Sequence, residues 1–295
     1  MLFRSVWSLI ILHEPQWLFY YSLLRTILYS IENIVLKNLA GKIILTAPGI
    51  LYLLVHHKKA ARVLGIEKTG GYNLLMALLA ALCCLPVVAV LNTVSMLFVR
   101  NRAMEILPAE MAFGFVPGLI LAAVLPALAE EFVFRGIMYR SYRQYSVIGG
   151  ALLSGLLFGI MHFNLNQMPY AFFDGVIFAL MVEATGSIIT SVFMHFLLNA
   201  VPVALDFILR DEAGYSASSA SDLASVTDSA AVIIAGAVAA LMLYLLYRII
   251  RKTARRNKRA LTAAESAQAG SMFDPAVVVA LITAAVVTLL NTKYL

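Results

Sequence analysis

The sequence predicts an all-α fold: a polytopic transmembrane helical bundle of eight or nine spans with a central catalytic helix core. Three observations carry that prediction. Of 295 residues, 62% are apolar and only 13% charged, where an ordinary soluble domain has roughly a quarter of its residues charged. The mean hydropathy is +0.88, and the apolar residues gather into windows near the ~20 residues a helix needs to cross a ~30 Å hydrocarbon core. Those windows are continuously apolar instead of alternating in segments of about ten, which excludes a β-barrel along with a soluble enzyme and a disordered chain.

Taken in order, the elements begin with an ambiguous segment at 16–35. There Ser22, Thr26, Ser30, Asn33 and Lys37 recur at helical spacing and form a polar stripe, so the segment either spans against other helices or lies in the interface. The run 42–55 is short and holds Pro48 and Gly49, but His56, His57, Lys58, Lys59 and Arg62 behind it read as a cytoplasmic anchor and make it an eighth span. Seven clear spans follow at 72–98, 113–134, 147–164, 169–185, 188–209, 229–250 and 274–292. With 16–35 as a ninth span and the N-terminus inside, the basic loops 56–68, 140–143 and 248–259 all face the cytoplasm. The acidic, serine-rich loop 211–228 and the C-terminus then lie outside. Eight spans would leave Arg4, Arg25 and Lys37 outside. Arg4 precedes an apolar stretch with no small-residue cleavage site before Trp17, so no cleaved signal peptide is expected.

Three regions follow: N-terminal helices and a basic loop (1–110), a core domain (111–209), and an acidic loop, a basic loop and two helices (210–295). The net charge of +6 and the pI near 9.3 do not signal nucleic acid, because the basic residues sit in short loops between spans. Anionic lipids at those loops, above all along Arg248–Arg259, are the expected partners, in a multi-pass protein of the plasma membrane. Cys83 and Cys84 are adjacent in an apolar run and read as inert packing residues.

Ionisable residues inside spans cost several kcal/mol and each is a functional candidate. They concentrate in the central third: Glu130, Glu131 and Arg135 in Ala-Glu-Glu-Phe-Val-Phe-Arg-Gly, then Phe158 and His162, then His195 and Asn199. Glu130 and His162 lie on either side of a turn near Ser146, each about 24 Å along its helix at ~1.5 Å per residue, and should be level. Gly155 and Gly159, a small-xxx-small pair, and Gly114 and Gly118 are expected to help those helices approach. Glu131 and Arg135, at i and i+4, have the spacing of an ion pair, and His195 and Asn199 share a helix face. Glu130 points about 100° away and is left without a dedicated cation, which makes it the candidate general base. Asp174 reads as a helix-end or cavity group and Glu183 as an interfacial anchor.

No Gly-x-Ser-x-Gly elbow, no paired intramembrane aspartate motifs and no His-Glu-x-x-His occur, so the usual serine, aspartyl and zinc-helix solutions lack their residues. What remains is Glu, Glu, His, His and Asn around a water. Glu-Glu-x-x-x-Arg at 130–135, Phe-x-x-x-His at 158–162 and His-x-x-x-Asn at 195–199, in that order, resemble the three motifs of the CPBP family. That family joins CAAX prenyl endopeptidases with bacteriocin-processing and immunity proteins, and Thr185-Gly186-Ser187-Ile188 is also similar to it. The resemblance covers roughly 120–205. It implies an intramembrane endopeptidase in which Glu130 and His162 activate water while His195 and Asn199 stabilise the oxyanion, with Glu131, Arg135 and Phe158 in support. The substrate would be a membrane-associated peptide or protein, with or without a lipid anchor. The preferred reading needs no cofactor; the other is a divalent metal such as zinc on Glu130, His162 and His195, with Glu131 as base. Two further readings stand beside these: a non-catalytic membrane adaptor or immunity protein, and an ion-coupled transporter, which the absence of evident repeats disfavours.

Overall fold

The computed structural model describes residues 31–55, 60–99, 110–162, 164–209 and 229–261, together with Leu28 and Leu107, and all regular structure among them is helical. In chain order the helices are α1 (Ile34–Val55), α2 (Ala60–Leu64), α3 (Gly71–Met96), α4 (Phe115–Tyr142), α5 (Val147–Ile160), α6 (Gln167–Thr185), α7 (Ile188–Leu209) and α8 (Ser229–Arg256). Five of them, α3, α4, α6, α7 and the stretch Ala231–Arg256 of α8, are long and apolar enough to cross a membrane, while α5 is a shorter apolar helix. The chain is an integral membrane protein. The run expected as an eighth span lies within the 22-residue α1. The expected span 274–292 and most of the segment 16–35 lie outside the described residues.

Two helices outrun their apolar windows. The window 113–134 continues to Tyr142 because Arg135, the residue at which hydropathy breaks, is neutralised inside the bundle by Glu131 one turn earlier. The window 229–250 continues to Arg256 through Arg248, Arg251, Lys252 and Arg255, residues with good helix propensity whose heads can reach the interface.

Helix α4 is not a uniform α-helix. Residues Ile120–Val124 take a π-helical turn immediately before Pro126, whose missing N–H and bulky ring disturb the preceding turn's ladder. A second π-helical stretch, Phe132–Tyr139, starts directly after Glu130 and Glu131, and such widened turns concentrate at functional sites.

Small residues decide how closely the helices approach. A Cβ on Gly155 would stand 2.9 Å from the Phe172 carbonyl and 2.8 Å from Val176, and one on Gly159 would stand 2.8 Å from the Met168 carbonyl. The small-xxx-small pair therefore docks α5 on α6, not on the helix that carries Glu130 as the spacing had suggested. Between α5 and α4, Ser154 Oγ donates to the Phe134 carbonyl at 2.8 Å and the Phe134 and Phe158 rings meet edge-on with centroids 5.1 Å apart. On α3, Ala77, Ala80, Ala81 and Cys84 present a small-residue face to a core of Phe178, Met181, Met194, Leu246 and Ile250 from α6, α7 and α8. Cys83 and Cys84 are both free and buried there.

The turns expected on the cytoplasmic side meet at one end of the bundle. Ile188 N–H donates to Gly65 O, Ser187 Oγ to Glu67 O, and Asn257 Nδ2 to both Asn73 Oδ1 and the Ala184 carbonyl at 3.0 Å. Gly186 closes α6 in the left-handed region (φ 81°), and a Cβ there would also meet the Arg259 guanidinium at 3.0 Å.

Candidate active site

The α-helical turn of α4 just before its second widened stretch presents Glu130 and Glu131 on neighbouring faces, and the two carboxylates have different partners. Glu131 is wholly buried. Its Oε1 accepts from Arg135 Nη1 at 2.7 Å and from His195 Nδ1 at 2.9 Å. Glu130 Oε1 accepts from the Lys42 ammonium of α1 at 2.5 Å, while its Oε2 stands 4.0 Å from His162 Nε2 and 3.9 Å from His195 Nε2. All of the predicted residues save Asn199 are thus joined by direct contacts, and the level placement of Glu130 and His162 deduced from the turn is what the bundle adopts. Asn199 lies one turn beyond His195 on α7, half-buried, with no hydrogen bond to any described residue.

Phe158 is the hub of the apolar side. Its ring meets His162 edge-on with centroids 4.9 Å apart and His195 at 5.6 Å, and the Arg135 guanidinium lies 4.4 Å above it. Phe178 stacks on His195 at 5.4 Å and takes Arg135 on its own face at 5.1 Å. Arg135, completely buried, is thereby held by one carboxylate and by the rings of Phe158 and Phe178, with the Phe134 ring also near at 5.9 Å.

The hydrogen bonds fix the imidazole tautomers. His162 Nδ1 faces the Phe158 carbonyl at 2.7 Å, and a carbonyl can only accept, so Nδ1 carries the proton. His195 Nδ1 faces a carboxylate and carries one too. In their neutral forms both rings therefore turn a bare Nε2 lone pair toward Glu130 Oε2. Three acceptors converge at about 4 Å, too far for a direct hydrogen bond and with no donor of their own among them. Such a set calls for a shared donor. A water bonded at ~2.8 Å to two acceptors that far apart subtends about 90°, close to its own O–H angle.

The same set was the sequence's candidate metal site. The tautomers suit it, because each histidine's outer N–H is tied to a carbonyl or carboxylate. The spacing and the charge do not. Tetrahedral zinc bonds of ~2.0–2.1 Å place donors about 3.4 Å apart, and the second Glu130 oxygen already carries an ammonium. Among the described residues no three His, Cys, Asp or Glu side chains are gathered to hold a metal ion; as arranged, the residues do not fit a divalent cation.

One participant escaped the sequence reading, and a second was read there only as a helix-end or cavity group. Lys42 opens the run 42–55, taken only as a span, though a lysine carried on an apolar helix already needs a partner. Its contact supplies the cation that Glu130 was expected to lack. Asp174, on α6, lies close enough to Arg135 to interact electrostatically. Asp174 Oδ1, Arg135 Nε and Nη2, and Glu131 Oε2 are buried without a protein partner, so the inner wall of the site has room in its hydrogen bonding for ordered water.

Compared with known proteins, residues 112–201 match the family described as Rce1-like, type II CAAX prenyl endopeptidase Rce1-like. Every motif residue from Glu130 to Asn199 lies inside that stretch, and Lys42 lies outside it. Comparisons with curated proteins and with solved structures find no match.

Proposed function

We propose that the Glu130 cluster hydrolyses a peptide bond of a membrane-associated substrate by activating water directly, a reading supported by the match of residues 112–201 to the Rce1-like family. The observation that carries this reading is that Glu130 Oε2 stands 4.0 Å from His162 Nε2 and 3.9 Å from His195 Nε2, a spacing that one shared water can bridge.

Lys42 ties down one oxygen of Glu130, so the other faces the water. Glu130, assisted by His162, takes a proton from that water as its oxygen bonds to the scissile carbonyl carbon. The carbonyl π electrons move to oxygen, and His195, once protonated at Nε2, and the Asn199 amide donate to the resulting oxyanion. Glu131 favours the His195 imidazolium through Nδ1, and Arg135 holds Glu131 in turn. Collapse of the intermediate breaks the C–N bond, and the proton held by Glu130 or His162 goes to the leaving amine. The products are a carboxylate and an amine, and no metal takes part.

The family description points to prenylated peptides as the first substrates to try, and the plasma membrane is the location proposed for the reaction. The test uses the purified full-length protein in liposomes with a pool of quenched fluorescent peptides, prenylated and plain, with and without a chelator. Cleavage that survives the chelator and disappears in Glu130→Gln is expected. Cleavage abolished by the chelator and restored by zinc would replace the water reading with the metal one. Cleavage by neither form, with the membrane phenotype intact in both, would favour a non-catalytic adaptor.

A further inference from the structure

Helix α8 carries a second cluster of charge that no part of the hydrolytic reading uses. Tyr244, Tyr247, Arg248, Arg251, Lys252 and Arg255 follow one another at spacings of three, one, three, one and three residues, and so occupy one face. The opposite face, with Leu246, Ile250 and Ala254, is buried in the core. The charged face borders a groove of about 510 Å³ between α8 and the N-terminal half of α3, floored by Met76, Leu79, Leu245 and Ile249. The two helices run antiparallel here: the Arg256 guanidinium lies 3.8 Å over the Tyr72 ring, and Asn257 bonds Asn73.

Two of the cations are pre-positioned. Arg248 Nη1 donates to Tyr244 Oη at 2.6 Å and Arg251 Nη1 donates to Tyr247 Oη, with each guanidinium also lying over the ring it bonds, at 5.6 and 5.3 Å. Each bond uses one of five guanidinium N–H groups and leaves the others for a ligand. Among the described residues none of the four cations has an ion pair, and no acidic side chain lines the groove beside them.

Below the cations the groove turns apolar. Leu79 and Leu82 on α3, and Leu245 and Leu241 on α8, continue toward the middle of the bundle and are all exposed. At ~1.5 Å per residue, ~30 Å of hydrocarbon measured from Ala231 ends near Arg251. The tyrosines then stand at the interface, the leucines in hydrocarbon and the cations among the headgroups.

A charged pocket opening into an apolar lane at interface depth matches one class of ligand. We infer that the α3–α8 groove is a binding site for a single anionic phospholipid, its phosphate on Arg248, Arg251 and Arg255 and an acyl chain along the leucine lane. The inference makes specific the lipid contact expected of the basic segment, and it rests on α8 crossing the membrane, not on the peptidase reading.

Native mass spectrometry of the full-length protein in detergent, titrated with phosphatidylglycerol or chain-matched phosphatidylcholine, tests it. The expected result is one phosphatidylglycerol retained where phosphatidylcholine is lost. At roughly fivefold per cation, the R248Q/R251Q/R255Q variant should bind about a hundredfold more weakly. Leu79→Trp fills the lane at an exposed position without changing charge, so it decides the matter even if the triple variant folds poorly; it should weaken binding about tenfold. K58Q/K59Q, a loss of charge in a different basic segment, should leave binding unchanged. Equal binding of both lipids, unchanged binding by Leu79→Trp and the triple variant, or displacement of phosphatidylglycerol by inorganic phosphate alone would overturn the inference.

Discussion

Two buried clusters in this bundle are built from the same parts and end in opposite states. At one, Glu183 on α6 accepts from Arg143 Nε at 2.7 Å, Arg143 Nη2 at 2.8 Å and Tyr139 Oη at 2.7 Å. Both carboxylate oxygens have a strong donor, and the fork of the guanidinium matches them geometrically. At the other, Glu130 and Glu131 share Arg135, Lys42 and two histidines, yet three acceptors face one another across a gap and Glu131 Oε2, Arg135 Nε and Nη2 have no protein partner. A carboxylate, an arginine and an aromatic ring inside a membrane protein do not by themselves make a reactive site. The saturated cluster locks α4 to α6; the unsaturated one has capacity left for water and substrate.

That contrast can be broken at either end. The largest effect is expected at Glu130: Glu130→Gln keeps the shape and the Lys42 contact but removes the base, and peptide cleavage should fall about a thousandfold with the melting temperature little changed. Next, His195→Ala removes the oxyanion donor and the partner of Glu131 together, and should cost a hundred- to a thousandfold in kcat, with a lower melting temperature that Glu130→Gln does not share. In the saturated cluster the prediction reverses. Arg143→Met leaves the Glu183 carboxylate without its fork and should destabilise by about 3 kcal/mol, read as a shifted denaturation midpoint, with unaltered kcat per folded molecule. The smallest effect sharpens the site's outer edge: Lys42→Met should lower kcat about tenfold, leave KM nearly unchanged and recover partly in Lys42→Arg. A wild-type rate in Lys42→Met would remove α1 from the machinery.

Much of this was legible in the sequence because burial of charge is costly. Glu130, Glu131, Arg135, His162 and His195 stand out in an apolar chain, and a count of residues about the turn at Ser146 was enough to bring Glu130 level with His162. The i, i+4 spacing found the Glu131–Arg135 pair directly. Partners distant in sequence were not legible: nothing local in α1 says that Lys42 meets a carboxylate 88 residues later, or that Gly155 and Gly159 dock on α6. Helix spacing gives faces, while the choice of neighbour depends on the packing of the whole bundle. Glu183 shows the same limit, since its position suggested an interfacial anchor and only Tyr139 on α4 and Arg143 just past its end make it a lock.

The most direct measurement sets the two clusters side by side: cleavage rate per folded molecule for Glu130→Gln and Arg143→Met, with the folded fraction read from the same liposomes. Glu130→Gln should be fully folded and about a thousandfold slower, and Arg143→Met less stable but as fast as wild type once folded. A Glu130→Gln variant that cleaves at the wild-type rate, or a folded Arg143→Met that does not cleave, would contradict the assignment of reactivity to the unsaturated cluster.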